Sequence, residues 1–372
     1  MIRKHKLTSL EISVLGVIGA CAIGISALSL TDKKVKNYDL LLRTSQKTAE
    51  AYAAIKNARL ERNISIDRVN DPAESGLIGV VSSSITTNIG DLESKRTSVN
   101  PNWGAVIINY LKQAGVRPGD RVAISMTGSF PALNIATLIA VQEYGANPFW
   151  IVAGSSSAWG ANIPEFSWLT MEKLLYDRKF LERRAIAASL GGNNDNGAGM
   201  SPEGRDSLRA SIVRSGIPIL EVTPLDSSIK TGLDLFKKAT KHKKPALFIS
   251  LGGGAASLGT SEVASILKTG LNSPKKLLDI EDQPVHGYIS CLLKEGIPVL
   301  NITDILPLAK SSKQPIGPVI TPTPGSGNLF SAPRYNMVIT IILLIVFVGI
   351  VAAISLGFFD FLFKNPRKEE LV

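Results

Sequence analysis

Four stretches of this chain concentrate the side chains that could do chemistry. The first is SMTGSFPALN, residues 125–134, where Ser125, Thr127 and Ser129 supply hydroxyls and Gly128 permits a tight turn. A helix starting near Pro131 would point free N–H groups and the positive end of its dipole at a carboxylate or phosphate; the same residues also describe a capped helix with Ser129 as N-cap. The second is SLGGNNDNGAGMSPEG, residues 189–204, in which Ser189, Gly191, Gly192 and Asp195 belong either to a loop that closes over a ligand or to a surface connection. The third, SLGGGAASLG at residues 250–259, has Gly252, Gly253 and Gly254 in a row, which lets backbone approach an anion closely. It matches neither G-x-G-x-x-G nor the Walker pattern, and no lysine follows before Lys268, so generic anion binding is expected and a nucleotide cofactor is not. The fourth, residues 147–168, holds Trp150, Trp159 and Trp168. Ser155, Ser156, Ser157, Trp159 and Asn162 either line a pocket there or belong to a packed surface loop.

Catalysis has thinner support. Of three histidines, His5 flanks an apolar run and His242 sits in the charged stretch KHKK, leaving His286 in PVHGY as the candidate base. Ser125 or Ser129 as nucleophile, His286 as base and Asp195 as acid would complete a triad. No G-x-S-x-G elbow accompanies them, and a histidine beside a helix start also serves as a local hydrogen-bonding residue. No His/Cys/Asp spacing resembles a metal site, so neither metal nor cofactor is expected.

These loops need a frame, and the sequence sets one out. Short apolar runs at residues 77–82, 121–126, 148–152, 184–189, 218–222, 246–251 and 298–302 read as strands. They alternate with helical patterns at 102–114, 130–144, 168–176, 202–215, 229–240, 260–267 and 288–294, several of them closed by a glycine. The alternation predicts an α/β fold of six or seven strands, mostly parallel, with helices on both faces. Ligands in such sheets bind beyond the carboxyl ends of the strands, which is where the first three stretches fall.

On either side of residues 65–306 the composition changes. Residues 7–30 carry Glu11 as their one charge, and residues 336–359 carry none; each is long enough to cross a hydrocarbon core. The first, after Arg3, Lys4 and Lys6, is either an uncleaved anchor or a cleavable signal with a weak site at residues 27–29. Residues 31–64 read as a helix leading into the domain, residues 307–335 as a Pro/Gly/Ser/Thr-rich tether, and residues 1–6 and 360–372 as charged ends. Positive charge outside the spans slightly exceeds that on the domain side, so the ends are expected in the cytoplasm and the domain outside it. Mean hydropathy is +0.17 over the 372 residues. The two cysteines, Cys21 in a span and Cys291 in the domain, exclude a disulfide framework. The net charge of +10 suits a basic surface or attraction to an acidic polymer or lipid. No dense basic stripe with interleaved aromatics points to nucleic acid.

Taken together, DPAESGLIGVVSSSITTNIGDLESKRTSVNPNW, GSFPALN, SSAWGAN, PEFSWLTME, AASLGG and SLGGGAASLG resemble the bacterial poly-γ-glutamate system protein family, over nearly the whole chain. The resemblance implies an accessory protein of the bacterial cell membrane, partnered with the poly-γ-glutamate synthase subunits. It would bind the acidic polymer or a glutamate-containing precursor and support assembly, export or anchoring. It supplies a pathway and no reaction. Two alternatives stay open: a serine-type amidohydrolase or transpeptidase acting on γ-glutamyl bonds, and a structural scaffold of the synthase complex.

Overall fold

The structure is a computed structural model that describes residues 8–259, 267–274, 286–356 and 358. It divides into two units: the two ends of the chain, through Lys36 and from Ser331, and the intervening Asn37–Phe330. Among the described residues, the chain opens with helix α1 (Ser9–Leu28) and strand β1 (Thr31–Lys34).

The Asn37–Phe330 unit follows with α2 (Tyr38–Glu61), β2 (Thr86–Asn88), α3 (Leu92–Ser98) and α4 (Trp103–Gln113). Next come β3 (Arg121–Thr127), α5 (Pro131–Glu143), β4 (Asn147–Ala153), β5 (Ser156–Ser157) and α6 (Trp168–Asp177). Then β6 (Ala187–Ser189), β7 (Gly191–Gly192), β8 (Asn196–Ala198), α7 (Pro202–Ser215) and α8 (Leu225–Ala239) lead to β9 (Leu247–Leu251) and the single turn α9 (Ala255–Leu258). The unit closes with β10 (Gly270–Asn272), α10 (Tyr288–Lys294), β11 (Val299–Ile302) and α11 (Ile305–Ser311).

Six strands form one sheet in the order β10-β11-β9-β3-β4-β6. Every pairing is parallel except β10 with β11. In β3 every residue after Arg121 is buried, without the in–out alternation of a strand that has one wet face. Strand order reverses at β3: β4 and β6 lie to one side, while β9 and β11 return on the other. The helix N-terminal to the sheet is part of the core. Leu41, Tyr52 and Ile55 of α2 are buried, and the Tyr52 hydroxyl donates to the Ala132 carbonyl at 2.9 Å.

Several expectations need correction. Residues 77–82 form no strand, although Leu77 and Ile78 are buried. Their backbone is satisfied by Arg59, which donates to Ile78 O, and by Asn162, which both accepts from Val80 N–H and donates to Val80 O. Residues 218–222 contribute one bridge, Ala188 to Ile219, and no full strand. The start of the connecting segment is strand β1, not helix, because it pairs with the far end of the chain. The Pro-rich residues 312–330, expected as a tether, are docked. Asn100 Nδ2 donates to Gln314 Oε1, Asn102 binds Thr323 O and Gly325 N–H, and Phe330 is buried edge-on to Tyr38. Side-chain amides here replace the backbone partners that proline-rich chain cannot find in a sheet. The helix expected at 260–267 lies largely outside the described residues.

A buried carboxylate ties α6 to the sheet. Glu172 accepts from Trp150 Nε1 at 2.9 Å and Ala185 N–H at 2.7 Å, and Arg184 approaches its other oxygen at 3.4 Å. Burial pushes its pKa up, against the opposing pull of Arg184. In Glu172→Ala the indole and amide lose their acceptor and Arg184 its counter-charge. A loss of about 3 kcal/mol or more is expected, read as a lower urea midpoint in tryptophan fluorescence of the detergent-solubilised chain.

At the other end, β12 (Ser331–Arg334) pairs antiparallel with β1, Thr31 opposite Arg334, and leads into α12 (Met337–Ser355). The two helices are long and apolar enough to cross a membrane. They run antiparallel: Ser26 Oγ and Thr340 Oγ1 are 2.8 Å apart near the ladder, and a Cβ placed on Gly19 would lie 3.5 Å from the Phe347 ring.

Candidate functional site

A cleft of about 320 Å³ opens at the carboxyl ends of the parallel strands, beside the strand at which their order reverses. Thr127 and Ser129 enter from the end of β3, Ala153 and Ser155 from β4, Gly192 and Asn193 from beyond β6, and Gly252, Gly253 and Gly254 from beyond β9. Thr87 and Asn88 of β2 close one side. β2 is placed there by its parallel pairing with β5, Thr86 against Ser156 and Asn88 against Ser157.

Close backbone packing explains the glycines. Gly252 has φ +80° and a Cβ there would lie 2.3 Å from Thr127 Oγ1. Gly160 is wedged where the loops after β3 and β4 meet, with a hypothetical Cβ 2.1 Å from Ser156 Oγ and 2.8 Å from Gly128 O. The two loops are sewn together by Ala161 N–H to Gly128 O at 2.7 Å, Ser156 Oγ to Gly128 O at 3.1 Å, and Ser157 N–H to Ser129 Oγ at 3.1 Å.

The structure therefore gathers Thr127, Ser129, Gly192, Gly252, Gly253 and Gly254 from three separately read segments into one wall. Other sequence candidates work behind it. Ser125 accepts from Ser257 Oγ at 2.6 Å, below the loop. Gly128 and Ser156 supply the loop-to-loop bonds, Asn162 clamps Val80, and Trp159, at φ +58°, pairs by its backbone with Gly79 and Val80. Gly191 packs under Ser155, a Cβ there lying 2.4 Å from its Oγ. Asp195 does not reach a serine–histidine pair. Its carboxylate accepts from Ser189 Oγ at 2.5 Å and Ser228 Oγ at 2.8 Å, pinning the loop after β6 to α8. Burial raises its pKa in spite of those two bonds.

His286 stands apart as well. Its Nε2 lies 3.2 Å from Lys294 Nζ, and no hydrogen bond joins it to Ser125, Ser129 or Asp195. Burial and the Lys294 charge hold its pKa below the usual imidazole value. The expected triad is thus not assembled in this structure. No group of three metal-ligating side chains occurs among the described residues.

One residue that sequence reasoning passed over belongs to the site. Lys95 of α3 is only 2 % exposed. Its Nζ donates to Ser129 O, lies 2.8 Å from Ser157 Oγ, and sits 3.9 Å from the centre of the Phe130 ring. Burial lowers its pKa to about 7, with Asp91 pulling the other way. In DLESKRTS it reads as one more solvated helix charge; only the tertiary fold turns it inward.

Among the described residues, no charged side chain lines the cleft. Its donors are hydroxyls, amides and backbone N–H groups, a set that suits carboxylates, amides and other small polar groups without fixing one. No protein-family model matches this chain, and no curated protein or solved structure gives a significant match.

Proposed function

We propose that this chain is a two-span membrane protein serving poly-γ-glutamate biosynthesis, in which the Asn37–Phe330 unit binds a γ-glutamyl carboxylate group of the polymer or its precursor. The observation that carries the binding reading is the neutral, hydroxyl-lined cleft at the reversal of strand order, the usual place for a ligand in an open α/β sheet. Helices covering both faces of that sheet complete the architecture. The pathway rests on the family resemblance of the loops that build the cleft.

The antiparallel helix pair and its β1–β12 ladder support the membrane reading. Two antiparallel spans joined by such a ladder suit a chain whose two ends share one side of the bilayer while the intervening domain occupies the other. The balance of Lys and Arg favours the cytoplasm for the ends and the outside for the domain, where polymer emerges. An accessory role in assembly, export or anchoring follows from that position.

Titration of the full chain in detergent with a γ-linked glutamate oligomer tests this. Saturable binding is expected, weaker for the α-linked oligomer. Because no lysine or arginine among the described residues lines the cleft, affinity should change by no more than about threefold between 50 and 500 mM salt. Steep salt dependence would move the polymer to the basic outer surface, and absence of binding would sink the ligand role altogether.

A further inference from the structure

Lys95 and Ser157 have the geometry of a base and its nucleophile. Nζ and Oγ are 2.8 Å apart, Lys95 is 2 % exposed and Ser157 7 %. A neutral lysine has two N–H donors and one lone pair. Nζ donates to Ser129 O and to Ser157 Oγ here; once the amine is neutral, one N–H can stay on Ser129 O while the lone pair turns to the Ser157 hydroxyl proton. Burial favours the neutral amine, against Asp91, which caps its own helix through Ser94, and against the Ser129 carbonyl and the Phe130 face, which favour the ammonium.

The pair lies directly behind the cleft wall. Ser157 pairs with Asn88 across the β2–β5 ladder and donates its N–H to Ser129 Oγ, and both of those residues line the cleft. On its other side is Gly90, where a Cβ would come 3.2 Å from Ser157 Oγ. The same Cβ would lie 3.2 Å from Lys95 Cε and 2.5 Å from Ala158 O, so only glycine fits against the pair.

We propose that Ser157 is a nucleophile, with Lys95 as its general base, in an acyl-transfer site that takes a small polar amide or ester from the cleft. Ser157 Oγ attacks the carbonyl carbon while its proton passes to Lys95 Nζ. The tetrahedral intermediate collapses, Lys95 returns the proton to the leaving amine or alcohol, and the acyl group remains on Ser157 as an ester. Water, or an incoming amine, then attacks that ester, giving its proton to Lys95, and Ser157 Oγ departs with it. Hydrolysis releases a carboxylic acid; amine attack yields a new amide. The inference rests on the cleft as a ligand site and not on any particular polymer.

The test uses p-nitrophenyl acetate, which needs no recognition by the cleft, on the full chain in detergent. Mass spectrometry is expected to find an acetyl ester on Ser157, formed faster as pH rises through about 7, the value to which burial lowers Lys95. Ser157→Ala should lose that adduct, and Lys95→Met should slow its formation at least about 100-fold, the usual worth of a general base. Wild-type protein with native tryptophan fluorescence but no Ser157 adduct between pH 6 and 9 would overturn the proposal, as would an adduct formed equally fast in folded Lys95→Met. Should that variant unfold, Lys95→Gln and the wild-type pH profile decide. Glutamate-oligomer binding without acylation would leave the binding reading intact and remove this one.

Discussion

Gly160→Ala should unfold the site and cost the chain about 3 kcal/mol. A Cβ at this position would lie 2.1 Å from Ser156 Oγ, 2.7 Å from Ser129 O and 2.8 Å from Gly128 O. The serine hydroxyl can swing away; the two carbonyls cannot. Gly128 O is already held by Ala161 N–H and Ser156 Oγ, and Ser129 O by the Lys95 ammonium or amine. Relief must come from separating the two loops, which breaks these bonds together and leaves Lys95 buried with fewer partners. Overpacking typically costs 1–3 kcal/mol, roughly, and the lost hydrogen bonds place this case at the upper end. Gly254→Ala is the comparison. Its φ is −60°, and among the described residues its Cβ meets only Thr127 Cγ2, at 3.1 Å. It should fold within about 1 kcal/mol of wild type while narrowing the cleft. Urea midpoints and glutamate-oligomer affinity, measured on both, separate the effects: Gly160→Ala loses both, Gly254→Ala chiefly affinity. Equal midpoints would mean that the loops are not locked as described.

The contrast shows which parts of the site a sequence exposes. Gly252–Gly254 and the Thr127–Ser129 turn are legible because each directly follows an apolar run, and in a parallel sheet that placement alone puts them at the ligand end. The regular strands and helices around them are legible for the same local reason: Pro202–Ser215, with proline at its start and Gly216 after its end, forms the helix its residues specify. What escapes is whatever depends on a partner far along the chain. LIGVVS has a strand's composition, yet its bonds go to the side chains of Arg59 and Asn162 and to the backbone of one loop residue, Trp159, rather than to a strand ladder. Residues 312–330 have a linker's composition, yet Asn100 and Asn102, more than 200 positions earlier, hold them down. Lys95 escapes most completely. Charge on a short helix signals solvent, and nothing near it in sequence reveals that Phe130, Ser129 and Ser157 converge on its tip.

That buried tip predicts a pH dependence with a definite sign. The Lys95 pKa falls from 10.5 to about 7 on folding, so between those values the unfolded chain binds the extra proton and stability rises with pH. The slope approaches about 1.4 kcal/mol per pH unit if no other group intervenes. The other shifted groups act elsewhere. His286, lowered from 6.5, adds stability as pH rises toward its unfolded value and nothing above it. Asp195 and Glu172, raised from 3.8 and 4.5, remove stability as pH climbs from the ordinary carboxylate range. Cys291 and the buried tyrosines Tyr52 and Tyr288, all raised, remove it above about pH 9. Because Asp195 and Glu172 pull the other way while they titrate, Lys95 is read by difference and not from the wild-type slope alone. Subtracting Lys95→Met from wild type cancels the remainder, since methionine fills the same space without a proton to lose. Between pH 7 and 9 the unfolding free energy of wild type should rise relative to that of the variant, the two curves converging toward alkaline pH. Parallel curves would mean that Lys95 keeps its proton throughout, held by the Ser129 carbonyl and the Phe130 face. A lysine so held has no lone pair for Ser157, and the acyl-transfer reading would lose its base at neutral pH.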